Sequence, residues 1–379
     1  MKKFQIFVYS FLLFFCISCN RYAKREITIS GLTPNNDFDS AALRKAIERI
    51  QDEKINIHSI LVERRGKILA EFYGIGSDKT MTKRFGLGNP FEGKIVFDEH
   101  TLHDVRSISK SVTSLLWGLE KYKNQIPKTT ESVMNFYPSI ADLATPERRE
   151  IRFAHLLSMT SGLDWKEWGH GFFTSDETPL LWKKDLARYY FERPVIAEPG
   201  TSFNYSAGST AILAEILSRS VNKPFLEIVR DDFFTPLGIT EWDWATDFHG
   251  RPLTFSGLRL KPRDMLKIGR LVLQNGKWEG KQLVSTSWIA EALKTQTTTS
   301  VDFSGQGEEL GYGYQWWTGK SKWKDETVSW SSALGNGGQR ICIIPKLDLV
   351  VVTTAGDYGE VAIQRRVSLL IEEIIAAVR

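Results

Sequence analysis

The sequence predicts an α/β (α+β) fold: an antiparallel sheet drawn from both chain ends, flanked by helices and interrupted by an inserted, mainly helical subdomain. Three observations carry this. β-rich apolar runs gather near residue 60 and again after residue 310. The stretch 107–290 between them shows helical periodicity broken by loops. A periodic apolar segment also lies near each end, at 40–51 and 361–379. Strands that bracket a helical middle are most economically joined in one sheet, with the end helices covering it.

The 379 residues, 42% apolar and 25% charged, suffice for a sizeable core. The net charge of +4 is spread without a basic run, which argues against a nucleic-acid partner. Lys2 and Lys3 precede an apolar run over 4–17 that suits a signal peptide and is too short to span a bilayer. It ends in Cys16-Ile17-Ser18-Cys19, which resembles a bacterial lipobox with Cys16 where Leu is usual. The expectation is a lipoprotein-type signal over 1–19, a lipidated Cys19 that anchors an exported protein to a membrane of the cell envelope or periplasm, and a polar tether over 20–38. The alternative is a plain secretory signal cut nearby. One folded domain then fills 39–379, with its α/β part in about 39–106 and 300–379 and its helical part in about 107–299. Cys342, inside an apolar run, reads as a buried strand residue.

In chain order, Ala41, Leu43, Ala46, Ile47 and Ile50 mark the first helix. Residues 59–73 read as a hairpin turning at Arg65-Gly66-Lys67, and 74–100, rich in glycine and charge, as a long loop. A helix follows over 104–120, with Ile108, Val112, Leu115, Leu116 and Leu119 facing a core. Further helices are expected over 147–157, 188–191, 211–220 and 262–273, the last opened by Pro262. The runs 312–317, 341–344 and 347–354 read as strands, and 361–379 as the closing helix.

Chemistry gathers in three stretches. Ser107 and Lys110 stand three apart at the start of the 104–120 helix, so the amine reaches the hydroxyl from the same face, and free backbone N–H groups of the first turn lie beside it. Lys110 can act as a base if desolvation or nearby positive charge lowers its pKa. Ser220–Lys223 and Ser321–Lys324 share the spacing, so it decides nothing alone. Tyr205 sits in a Gly/Ser/Pro-rich loop just before a helix and can relay a proton beside a lysine, or simply pack that loop. Gly335-Asn336-Gly337-Gly338-Gln339-Arg340 leads into an apolar strand; its glycines suit close backbone approach to a ligand or an ordinary hairpin turn. Trp165, Trp168, Trp316, Trp317 and Trp330 are candidates to line a cleft or to fill the core. His100 and His103 lack further ligands, and nothing calls for a metal or other cofactor.

Taken in this order, the three stretches resemble the serine β-lactamase/penicillin-binding-protein superfamily, with its S-x-x-K, Y-x-N and K-T-G-like elements. The likeness is nearest to the class C-like branch of family VIII esterases and 6-aminohexanoate-dimer hydrolases. It rests also on His155-Leu-Leu-Ser-Met-Thr-Ser-Gly-Leu, Glu198-Pro-Gly-Thr and Leu310-Gly-Tyr-Gly-Tyr-Gln-Trp-Trp. The resemblance implies a β-lactamase/transpeptidase-like fold and a Ser107 acyl-enzyme, with Lys110 as base and Tyr205 as proton relay. It implies backbone N–H groups of Ser107 and Gln339 as the oxyanion hole, and Asn336, Gly337 and Gly338 as the substrate-binding turn. Ala207 replaces the usual asparagine two after the tyrosine, and Asn336-Gly337 carries neither the cation nor the hydroxyl of K-T-G. A small-molecule ester or amide is therefore the expected substrate. The alternatives are a β-lactamase or D-Ala-D-Ala carboxypeptidase, and a catalytically idle binding module. Nothing in the pattern fixes the oligomeric state.

Overall fold

A computed structural model describes residues 38–88, 93–167, 169–171, 173–299 and 308–379. The expected signal, tether and Cys19 anchor lie outside them up to residue 37, as does Trp168.

Helix α1 (Ser40–Asp52) starts where Asp39 accepts the Ala42 N–H at 3.0 Å, and it buries Leu43, Ala46, Ile47 and Ile50. Strands β1 (Ile57–Arg64) and β2 (Lys67–Tyr73) form the expected hairpin through Arg65 and Gly66, both left-handed. Helix α2 (Ile108–Trp117) is buried on every side, and Ser107 stands directly before it. The central region holds α3 (Phe153–Leu157), α4 (Leu186–Phe191), α5 (Ala207–Val221) and α6 (Pro262–Leu273). Then come β3 (Thr297–Thr298), β4 (Glu308–Tyr312), β5 (Trp317–Trp323), β6 (Glu326–Gly335), β7 (Gln339–Ile344) and β8 (Leu349–Ala355), closed by α7 (Val361–Ala376).

These strands make one antiparallel sheet in the order β3-β4-β5-β6-β7-β8-β1-β2. The chain ends meet where β1 pairs with β8, Leu61 opposite Val352. Side chains alternate across the sheet. One face, with Val62, Cys342 and Val351, packs on α1 and α7; the other, with Leu61, Ile341 and Val350, packs on α2, α6 and the helical region. Cys342 is a buried strand residue, and burial lifts its thiol pKa to about 12.

The structure corrects the expectation at several elements. Within 74–100, Ile75–Asp78 pairs with Gly93–Val96. The second strand is exposed along its length, so no apolar alternation announced it. The helix expected over 147–157 is two, Pro146–Arg149 and α3, because Arg152 between them bridges Ser132 in extended form. The run 312–317 is the end of β4, a turn at left-handed Gln315, and the start of β5. Strand β6 was not anticipated: Ser329, Ser331 and Ser332 dilute its apolar pattern. The helical middle also holds short strands, Asp243–Trp244 and Leu258–Leu260, which pair with each other; His103–Asp104 adds to the second.

Candidate active site

Ser107 is half-buried, in right-handed helical backbone at φ −66°, where the chain enters α2. One turn on, the Lys110 ammonium donates to Ser107 Oγ at 3.1 Å and to the Phe255 carbonyl at 3.1 Å. Lys110 is only 1% exposed. The Tyr205 ring lies 4.6 Å from Lys110 Nζ, and its phenol interacts electrostatically with Lys110. The structure thus brings Tyr205, from a separate stretch, to the Ser107–Lys110 pair.

Local architecture explains how Tyr205 gets there. Ser206 caps α5 by accepting the Ser209 N–H at 3.1 Å, so the tyrosine is held just outside the helix. Met159, itself left-handed, accepts the Asn204 N–H at 2.7 Å. Gly162 lies so close to the Ala197 carbonyl that a Cβ there would sit 2.2 Å from it. The Ser-Met-Thr-Ser-Gly stretch is therefore the floor on which the 197–205 loop rests. Trp317 stacks on Tyr205 at 6.0 Å, and Tyr312 meets it edge-on.

Two carboxylates that the sequence reading missed also belong to the site. Glu167 lies 3.7 Å from Lys110 and accepts N–H bonds from Trp165 at 2.9 Å and Ala207 at 2.6 Å. Burial, and after it Glu167, push the Glu177 carboxyl up to about 7 against the opposite pull of Lys110 and Arg106. No motif marks either residue, since each is one glutamate in a charged loop. Lys110 does not show the lowered pKa on which a neutral lysine base depends. Burial does favour the neutral amine, but Tyr205, Glu167 and Glu177 outweigh it and raise the Lys110 pKa. Burial raises the Tyr205 phenol as well, despite Lys110. At neutral pH the site holds an ammonium and a phenol.

Residues 44–371 match the beta-lactamase family. The chain belongs to that family. Its members and structural neighbours include hydrolases of several kinds. The 6-aminohexanoate-dimer hydrolase of Paenarthrobacter ureafaciens is 26% identical over 170 residues, 43% of this chain and 42% of that protein, so the match spans less than half of the relative. A class C beta-lactamase shares the fold at a TM-score of 0.65 and 14% identity, covering 92% of this chain and 99% of the other. A family VIII carboxylesterase does so at 0.64 and 15%, covering 92% and 99%.

In this beta-lactamase-family chain the glycine turn sits beside the segment that leads into Ser107: a Cβ at Gly335 would fall 2.2 Å from the Val105 carbonyl. Gly337 and Gly338 are left-handed at φ 91° and 98°, which favours glycine at both. Asn336 is exposed, and its side-chain oxygen accepts the Gly359 N–H at 2.8 Å. Gln339 is registered opposite Gly335, and its side-chain amide is held by both backbone groups of Ala355. Arg340 points to the other face of the sheet and donates to Gln364 at 3.1 Å on α7. Of the tryptophans, Trp316 and Trp330 are buried in core clusters, whereas Trp165 and Trp317 border the site through Glu167 and Tyr205.

Proposed function

We propose that this protein is a serine hydrolase that cleaves an ester or amide through an acyl-enzyme on Ser107. The observation that carries the reading is the buried Lys110 donating to Ser107 Oγ at 3.1 Å with the Tyr205 ring 4.6 Å from its ammonium. In the proposed sequence, the Lys110/Tyr205 pair first loses one proton to solvent, and Ser107 Oγ then attacks the substrate carbonyl while its proton passes to that singly deprotonated pair. The oxyanion takes hydrogen bonds from the Ser107 N–H and from an N–H of the 336–339 turn, for which Gln339 is the sequence's candidate. The pair then protonates the leaving alcohol or amine, and water, deprotonated by the same pair, hydrolyses the acyl-enzyme and regenerates Ser107.

An ester or amide without a free carboxylate is favoured because the turn offers no cation. Asn336 braces Gly359, and Arg340 faces α7 across the sheet. A substrate carboxylate there loses the charge-assisted partner that penicillins and D-Ala-D-Ala peptides require. Mass spectrometry of wild type and Ser107→Ala after mixing with p-nitrophenyl acetate tests this. An acetyl adduct on wild type alone, with p-nitrophenol release, is the expected result; absence of both sinks the reading. Turnover of a chromogenic cephalosporin at rates typical of good enzymes overturns the substrate preference. Export with a lipid on Cys19 belongs to the same proposal, and incorporation of labelled palmitate in wild type but not in Cys19→Ser checks it.

A further inference from the structure

We propose that Arg106 and Tyr358 form a clamp that fixes the nucleophile's N–H against the glycine turn, making both of them positioning residues for acyl transfer. The inference rests on the reading of Ser107 as nucleophile. Arg106 is left-handed at φ 50°, a conformation uncommon outside glycine, at the residue directly before Ser107. Its peptide unit carries the Ser107 N–H, so any rotation about the Arg106 backbone swings that donor. The contacts around its side chain are visible. The Arg106 guanidinium lies 4.1 Å from the centre of the Tyr358 ring, Nη2 donates to the Lys79 carbonyl at 3.0 Å, and Asp104 stands 3.7 Å away. The Arg106 Nε is buried with no hydrogen-bond partner among the described residues. Hydrogen bonding therefore does not account in full for an arginine here, whereas its flat face over the ring does.

The same ring reaches the other half of the proposed oxyanion hole. A Cβ on Gly337 would come within 2.5 Å of the Tyr358 ring, and the neighbouring Gly359 N–H donates to Asn336 at 2.8 Å. Tyr358 is itself anchored, its hydroxyl donating to Asp78 at 2.8 Å. One aromatic ring thus spans the residue before Ser107 and the turn at 336–338. If both donors hold the developing oxyanion, the ring sets their separation, and loosening it weakens the transition state more than the bound substrate.

The test is steady-state hydrolysis of p-nitrophenyl butyrate by the full chain, with active sites counted by the acylation burst. Tyr358→Leu and Arg106→Gly are each expected to lower kcat per active site about tenfold or more while KM stays within about threefold. Tyr358→Phe, which keeps the ring, is expected to hold kcat within about threefold of wild type. Arg106→Gly is expected to melt higher than Arg106→Ala, because glycine accepts the left-handed backbone, yet to be no faster. A merely structural role lowers the melting temperature and the number of active sites but not kcat per site. Either Tyr358→Leu or Arg106→Gly within about twofold of wild-type kcat, with Ser107→Ala inactive, overturns the clamp and leaves the nucleophile standing; if Tyr358→Leu does not fold, Arg106→Gly decides. Wild-type turnover by Ser107→Ala overturns both.

Discussion

Lys110 sets the pH behaviour of the site because it is an ammonium ion held among anions. In the proposed mechanism the Lys110/Tyr205 pair must lose a proton before it can accept that of Ser107, and Lys110 binds its proton more tightly than an ordinary lysine. The rate of acylation is therefore expected to climb on the alkaline side. Glu177 tunes that limb. Replacing its charge in Glu177→Gln removes an anion near Lys110, lowers the lysine pKa, and moves the limb to lower pH. Below about pH 7 the wild-type Glu177 carboxyl is itself protonated, so the two profiles should converge there. A pH profile of kcat/KM for both proteins checks this, and identical alkaline limbs would rule out the coupling. At the same scale, Tyr205→Phe keeps the ring over Lys110 but removes the relaying hydroxyl, and is expected to lose about 10²–10⁴-fold in kcat. Ser107, Lys110 and Tyr205 could be read from the sequence because each sits in a motif with a turn or cap beside it. Glu167, Glu177 and Arg106 could not: their roles come from side chains meeting across loops, and loop glutamates and an arginine beside a serine carry no periodic signal.

At the scale of elements, α6 shows how closely helix and sheet must fit to present the site. Gly269 lies against β7 and β8, where a Cβ would be 2.5 Å from Val350 and 3.0 Å from Ile341. Glycine in a helix interior is ordinarily unfavourable, so its place here reflects close approach to the sheet. Gly269→Val is expected to destabilise the fold by about 1–3 kcal/mol through overpacking, read as a lower melting temperature. An unchanged melting temperature would mean that the helix has room to shift. The long amphipathic helices α1, α6 and α7 were legible because their apolar faces repeat over three or more turns. Strand β6 and the pair Ile75–Asp78/Gly93–Val96 were not, because serines interrupt the apolar pattern of the first and the second strand of the pair is exposed along its length.

Across the whole molecule, the sheet is closed by strands from opposite ends of the chain, and the ends are fastened again outside it. Asp39 N–H donates to the Ala377 carbonyl at 2.7 Å, Phe38 bridges Val378, and Arg379 reaches Asp39 at 3.1 Å. Arg49 on α1 forms a two-pronged pair with Glu373 on α7. That closure was legible because β-rich runs bracketed the helical region, but the register of β1 on β8 was not, since it is fixed only when both faces of the sheet are buried. With residues 38 and 378 side by side, the order in which the chain visits the elements should be dispensable. Joining Arg379 to Phe38 by a short glycine-rich linker and opening the chain at Glu279–Gly280 is therefore expected to give a folded protein. That turn is exposed, and a Cβ at Gly280 meets nothing within 4 Å. Circular dichroism and thermal melting of this permutant are the measurements. A cooperative melt near that of the parent shows that the native order of the elements is dispensable for the fold. Loss of cooperative melting would instead mean that the fold needs the native order of the chain, even though joining the ends shortens the loop that closes β1 on β8 and so lowers its entropic cost.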